Sequence, residues 1–226
     1  RSQWLRDLCI SQDVNDLMAS IYQTEISPHT MPVHLGHLNY QPSKLEEAVD
    51  KWHHDTIPLD YVMMVSDPAT LSGGGFEYFM GTKMEAEELS KQGKTPPLDR
   101  VKAPKFPGPG YAVALHGNMV VHRGAPLTKP GERITMVNAY VSMDCLVDEQ
   151  SRSRDLIGID DPAALYAEWA KHASWRTQNR LQQIIDSMAF DQEPDQVLDQ
   201  LEFAANDLLK TINDMKAGPR EAQHYE

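Results

Sequence analysis

Asn118-Met-Val-Val-His-Arg-Gly-Ala-Pro126 and, a few residues on, Gly131-Glu-Arg-Ile-Thr-Met-Val-Asn-Ala-Tyr140 decide how this chain folds. The first stretch is a short apolar strand ending in His122 and a Gly/Pro turn. The second is a strand running back, rich in β-branched and apolar residues. Side chains alternate along a strand, so Arg133, Thr135, Val137 and Ala139 share one face. A guanidinium that opens an otherwise apolar inward face calls for a carboxylate, which its planar fork binds in bidentate fashion. Thr135 beside it can add a hydroxyl donor.

Upstream, Trp52 to Pro58 carries His53-His54-Asp55, then Thr56 and Ile57, and leads into Tyr61-Val-Met-Met-Val65. Strand suits this segment better than helix. On a strand only positions i and i+2 share a face, so His53 and Asp55 point the same way and His54 the other. A slip of one residue would exchange the two histidines. His53, Asp55 and His122 taken together are two histidines and one carboxylate, the ligand set of a non-haem Fe(II) facial triad. Three coordination positions then stay open for a co-substrate and O2, which points to an oxygenase.

In these residues the chain resembles the Fe(II)/2-oxoglutarate-dependent dioxygenases. The family pattern is His-x-Asp, a distal His, an Arg ten to fourteen positions later, and often Ser or Thr two beyond that. His53, Asp55, His122, Arg133 and Thr135 match it in order and spacing, Arg133 lying eleven residues after His122. The run Gly73-Gly-Gly-Phe-Glu-Tyr-Phe79 is similar to the family's third core strand, and the likeness covers roughly Pro32 to Met143. It implies Fe(II) on His53, Asp55 and His122. It also implies 2-oxoglutarate with its far carboxylate on Arg133 and Thr135, and oxidation of a C–H bond by O2 with release of succinate and CO2. Hydroxylation, desaturation and oxidative cyclisation are all within that chemistry. Chlorination is not implied, because Asp55 stands where halogenases carry a small residue. Asn39 and Tyr40, on the strand before the triad, are candidates for the near carboxylate of 2-oxoglutarate. Adjacent residues face opposite ways, so at most one serves.

Strands are expected over Val33–Tyr40, Lys51–Pro58, Tyr61–Ser66, Gly75–Met80, Tyr111–His116, Met119–Arg123 and Arg133–Met143. Short strands separated by turns, with ligands on two of them, predict a mainly β chain built on a double-stranded β-helix, a jelly roll of the cupin kind. Residues 1–32 form N-terminal bracing helices, with helical spacing from Gln3 to Tyr22 and further chain expected upstream. Residues 33–143 form the catalytic core. Within it residues 81–110 are an insertion, either a lid or a solvated loop, with a short amphipathic helix over Met84–Lys91. Residues 144–226 form a C-terminal helical extension. There Leu165, Trp169, His172, Leu181, Ile184, Ile185 and Met188, and after Pro194 Val197, Leu201, Ala204, Leu208, Ile212 and Met215, make apolar stripes. These stripes are expected to pack on the barrel or to form the seam of a homodimer. The tail after Gly218 is expected to fray.

A formal net charge of −12 without a clustered basic surface argues against a nucleic-acid substrate. Two cysteines far apart, Cys9 and Cys145, form neither a disulfide framework nor a thiolate metal site. No apolar run reaches the length of a membrane span. A soluble, cytoplasmic enzyme acting on a small molecule, an amino acid or natural-product intermediate, is the expectation. His29, His34, His37, His116 and His172 read as structural or surface histidines. Two other readings compete with the oxygenase: a cupin-like metal-binding protein, which would have no need of Arg133 and Thr135, and an interaction module working through its C-terminal helices.

Overall fold

Two helices precede the strands, α1 (Gln3–Cys9) and α2 (Gln12–Tyr22). Ser2 caps the first, its side chain accepting from the Leu5 N–H, while extended backbone at Ser11 separates the two. Nine strands follow among the described residues: β1 (Ile26–Pro28), β2 (His37–Tyr40), β3 (Asp50–His53), β4 (Leu59–Met64), β5 (Phe76–Phe79), β6 (Val101–Lys102), β7 (Ala112–Leu115), β8 (His122–Gly124) and β9 (Ile134–Ser142). Helix α3 (Lys83–Lys91) lies between β5 and β6, and α4 (Ser153–Leu156), α5 (Pro162–Ser187) and α6 (Pro194–Ala217) close the chain. The computed structural model describes residues 2–40, 45, 47–147, 149–157, 161–219 and 223–226.

Chain contacts divide the protein into two units. The first holds Arg1–His29, Val33–Val141 and Gln223–Glu226, the second Thr30–Pro32 and Ser142–Ala222.

In the first unit, β9 is nine residues long, enough to hold β4 along one edge and β1 and β2 along the other. With β7 beyond β4, this makes a five-stranded sheet, and β3-β8-β5-β6 make a second, four-stranded sheet. The strand pairings are antiparallel. Alternation along β4 and β9 gives the larger sheet two apolar faces. Leu59, Tyr61, Met63, Met136 and Tyr140 pack with Cys9 and Met18 beneath α1 and α2. From the opposite face Val62 and Leu115 meet Phe76 of the smaller sheet, with Tyr78, Phe106 and Val137 packed against them. The two sheets therefore face one another through this second cluster. A third cluster, Trp52, Phe79, Val121, Ala86 and Tyr225, covers the outer face of the smaller sheet.

Several expectations need correction. The protein is a mixed helix and sheet structure rather than mainly β: α5 and α6, at 26 and 24 residues, outnumber all nine strands together. The insertion is divided between two surfaces. Its helix α3, held by a capping box between Thr82 and Glu85, packs through Ala86 on the outer face of the smaller sheet, and only Phe106 reaches the cluster between the sheets. Of the tail, residues 220–222 lie outside the described residues. Beyond them the chain is not frayed, since buried Tyr225 donates its N–H to Trp52 O (2.8 Å) and pairs its hydroxyl with His54 Nδ1 (2.7 Å).

In the second unit the buried face of α5 is not the expected apolar stripe. Leu165, Trp169, His172 and Ile184 are buried, but Leu181, Ile185 and Met188 are exposed while Arg176 and Arg180 are buried. Arg176 donates to the carbonyls of Ser142, Asp144 and Val147, and Arg180 pairs with Asp207 (3.0 Å) while stacking over Phe203. Carbonyl acceptors thus allow burial of side chains whose charge would otherwise forbid it. On α6 only Ala204 is buried, and Leu201, Leu208 and Ile212 face outward. No helix among the described residues is long and apolar enough to cross a membrane.

Candidate metal centre

His53 and His122 are brought together by the pairing of β3 with β8, in which they are direct cross-strand partners. Their ring centroids stand 4.4 Å apart. Asp55 follows the end of β3 instead of lying within a longer strand. Its position is set by its N–H, which donates to Gly117 O at 2.9 Å. Its two carboxylate oxygens divide between the histidines: Oδ1 is 3.3 Å from His53 Nε2 and Oδ2 is 3.4 Å from His122 Nε2. One donor atom from each of the three residues lies within 4.8 Å of the others. His54 points away and is taken by Tyr225.

The other nitrogen of each ring is held by a backbone carbonyl. His53 Nδ1 meets Lys51 O at 2.7 Å, and His122 Nδ1 meets Val120 O at 2.9 Å. A carbonyl only accepts, so both rings carry a proton on Nδ1 and turn Nε2 toward Asp55. Orientation of imidazoles through the far nitrogen is how metal-binding histidines are held. Bonds of ~2.1 Å to nitrogen and oxygen place adjacent donors about 3 Å apart, close to the spacings seen here. The donor set and its geometry fit a divalent metal.

Charge in the cluster follows from burial and proximity. Burial disfavours the charged form of His53, but Asp55 and Asp50 outweigh it and raise its pKa to about 9. For His122 burial prevails over the pull of Asp55 and pushes the value down. Burial alone would raise Asp55, yet His122 and His53 hold it well below the usual carboxylate range. Asp60 is the opposite case: burial and then the charge of Asp55 push it well above that range. Asp50, with Oδ2 3.5 Å from His53 Nε2, is a further carboxylate at the rim.

Arg133 is 2 % exposed. Its Nε donates to Gly74 O at 2.6 Å and its Nη1 to Thr135 Oγ1 at 3.3 Å. Among the described residues no carboxylate lies within ion-pair distance of it, and burial pushes its pKa down against the more distant charge of Asp50. Gly74 makes room, for its φ is +73° and a Cβ there would stand 3.1 Å from Arg133 Cδ. The guanidinium also lies over Gly124, where a Cβ would meet Nη2 at 3.4 Å. Gly124 is two residues from His122 on β8, so Arg133 and the histidine cluster address one face of the smaller sheet. Phe76 and Tyr78 share that face, the Phe76 ring centroid 5.3 Å from that of His122.

Asn39 pairs with Thr135 across β2 and β9, so its side chain shares the Thr135 face; Tyr40 pairs with Ile134, faces the other way and is 60 % exposed. Of the remaining histidines, His37 Nε2 meets Asn39 Oδ1 at 3.1 Å, and four others are occupied elsewhere. His29 and His34 are buried edge to face at 4.5 Å, His116 stacks on Tyr22, and His172 bonds to Glu149 and Thr30.

Asp60 and Gly117 are site neighbours that motif spacing does not reveal. A signal for Asp60 exists: it is the one acid within β4, a strand buried along its whole length.

No protein-family model matches the chain, and no curated protein matches it. Among solved structures, the chain is similar to a non-heme monooxygenase in a ThoJ–Ni complex, at 13% identity over 96% of this chain and 75% of that one, with a TM-score of 0.49. It is also similar to the apo form of that monooxygenase, at 13% identity over 83% and 78%, with a TM-score of 0.48.

Proposed function

We propose that the protein is an Fe(II)- and 2-oxoglutarate-dependent oxygenase acting on a small molecule, on a core of the double-stranded β-helix kind. The observation that carries this is the pairing of a His53–Asp55–His122 donor set with a buried Arg133 that meets no carboxylate among the described residues. A buried guanidinium is costly without an anion, and the far carboxylate of 2-oxoglutarate would supply one. The two facing sheets, with the donor set on the smaller sheet and Thr135 on the larger, support the barrel-like core.

In this reading His53, Asp55 and His122 hold Fe(II). Bound there with 2-oxoglutarate, the metal supplies the oxidising power of O2, with succinate and CO2 released as a C–H bond of the substrate is oxidised. The protein's own residues bind and orient. Carbonyls at Lys51 and Val120 fix both imidazoles. Arg133 and Thr135 bind the far carboxylate, and of the two candidates for the near carboxylate Asn39 is the one on the Thr135 face. Phe76 and Tyr78 present an apolar wall beside His122 that excludes water and seats a hydrocarbon portion of the substrate. An amino acid or natural-product intermediate is the substrate class proposed. The buried, unpaired thiols of Cys9 and Cys145 support a reducing, cytoplasmic setting.

Anaerobic titration of the Fe(II)-loaded protein with 2-oxoglutarate tests the reading. A visible charge-transfer band that requires both iron and Arg133 is the expected result. Iron binding without any such band would replace the oxygenase by a cupin-like metal-binding protein.

A further inference from the structure

Asp60 lies on the face of β4 that looks toward the smaller sheet, the face of Val62, and it is 0 % exposed. No N–H or O–H of the described residues donates to either of its carboxyl oxygens. Its backbone is well served, with Tyr22 Oη donating to Asp60 O at 2.6 Å, so the side chain is the unexplained part. A carboxyl taken out of water without a hydrogen bond is strongly disfavoured. Something at the site must answer it.

Gly117 shows what does. A Cβ on Gly117 would stand 2.2 Å from Asp60 Oδ2 and 2.9 Å from Asp55 Oδ2, so both carboxyls converge over a bare Cα. The same glycine accepts the Asp55 N–H, fixing the backbone of Asp55 beside the group that meets its side chain. A carboxylate has about four lone-pair sites. The histidines face one oxygen each, which leaves Asp55 able to accept from a further carboxyl.

We infer that Asp60 is a positioning residue for Asp55: its buried carboxyl, admitted by the missing side chain of Gly117, fixes the orientation in which Asp55 meets the metal. The inference rests on the proposed metal centre. Asp60 touches neither metal nor substrate and acts through Asp55 alone. Its close approach over Gly117 limits rotation of the Asp55 carboxylate, so that both oxygens stay turned to the histidines before metal arrives.

Equilibrium binding of Co(II) by the full chain, read by chelator competition and by the visible d–d spectrum, tests this on Asp60→Asn and Asp60→Ser. The amide keeps the shape and reach of the carboxyl, so Asp60→Asn is expected to bind within about threefold of wild type with an unchanged band. Serine is too short to span the gap, and Asp60→Ser is expected to lose roughly 10–100-fold in affinity, the range typical of outer partners of metal ligands, with an altered band. Wild-type affinity in Asp60→Ser overturns the inference, as does equal weakening in both variants. If Asp60→Ser does not fold, Asp60→Asn decides: a wild-type spectrum supports the inference and a changed one overturns it. Absence of Co(II) binding by wild type overturns the metal centre itself, an outcome distinct from those of the variants.

Discussion

A guanidinium that is 2 % exposed has exchanged its water for one carbonyl, Gly74 O, and one hydroxyl, Thr135 Oγ1. Five N–H donors are available on arginine, and these two contacts engage two of them. Arg133→Ala is expected to raise the dissociation constant for 2-oxoglutarate by roughly 100-fold, the equivalent of ~3 kcal/mol for charged hydrogen bonds. Co(II) affinity should hardly change, and Arg133→Lys should fall between, keeping the charge but losing the fork. Paired titrations of metal and co-substrate check this. Loss of metal binding in the alanine variant would instead make Arg133 a structural support. His53 carries a second prediction. Its pKa rises from the ordinary 6.5 to about 9 on folding, so stability linked to this proton is complete below about 6.5 and is lost as pH climbs through about 9. Calorimetric melts of the metal-free protein should fall in temperature across that window, and His53→Gln should flatten the trend. Metal must displace the same proton, so apparent metal affinity should rise about tenfold per pH unit up to about pH 9.

At the level of strands and turns, the spacing of His53, Asp55, His122 and Arg133 was enough to locate the cluster, because alternation on short strands leaves few ways to bring those side chains to one face. The edges of the elements were less legible. Asp55 shares the His53 side without lying on a strand, since Gly117 O, not a ladder partner, holds its N–H. β1 and β6, at three and two residues, are too short to show a period and exist through their partners β9 and β5. Asp60 is not legible because hydrophobic patterning treats an acid in an apolar run as an interruption, not as a buried partner. Gly74 reads in the sequence as part of a glycine-rich strand, yet its backbone conformation and its close approach to Arg133 both demand glycine. Gly74→Ala would place a Cβ 2.8 Å from Leu127 Cδ2 at φ +73°. It is expected to cost about 1–3 kcal/mol in stability and to weaken 2-oxoglutarate more than metal, as measured by denaturant unfolding and the two titrations.

Across the whole chain, composition excluded more than it revealed. A net charge of −12 makes nucleic acid an unexpected substrate but says nothing of which helical faces are buried. In the C-terminal unit the readings failed because Arg176 and Arg180 are buried on carbonyls of 142–147, contacts far apart in sequence that no stripe of apolar residues announces. The last residues failed for a similar reason: Tyr225 is held by Trp52, some 170 positions earlier. Removing that ring by Tyr225→Ala should cost roughly 3 kcal/mol, in the range for buried aromatics, as read by urea unfolding. Metal provides the remaining test at this scale. All three donors lie in the unit that contains the sheets, so an ion bound there stabilises the native form of that unit by mass action. At a free concentration of about 100 times the dissociation constant the gain is ~2.7 kcal/mol. Thermal melts with Co(II) should show it in wild type and lose it in His122→Ala. If His122→Ala keeps the full metal-dependent gain, the ion binds elsewhere, and the three convergent side chains hold one another without a metal.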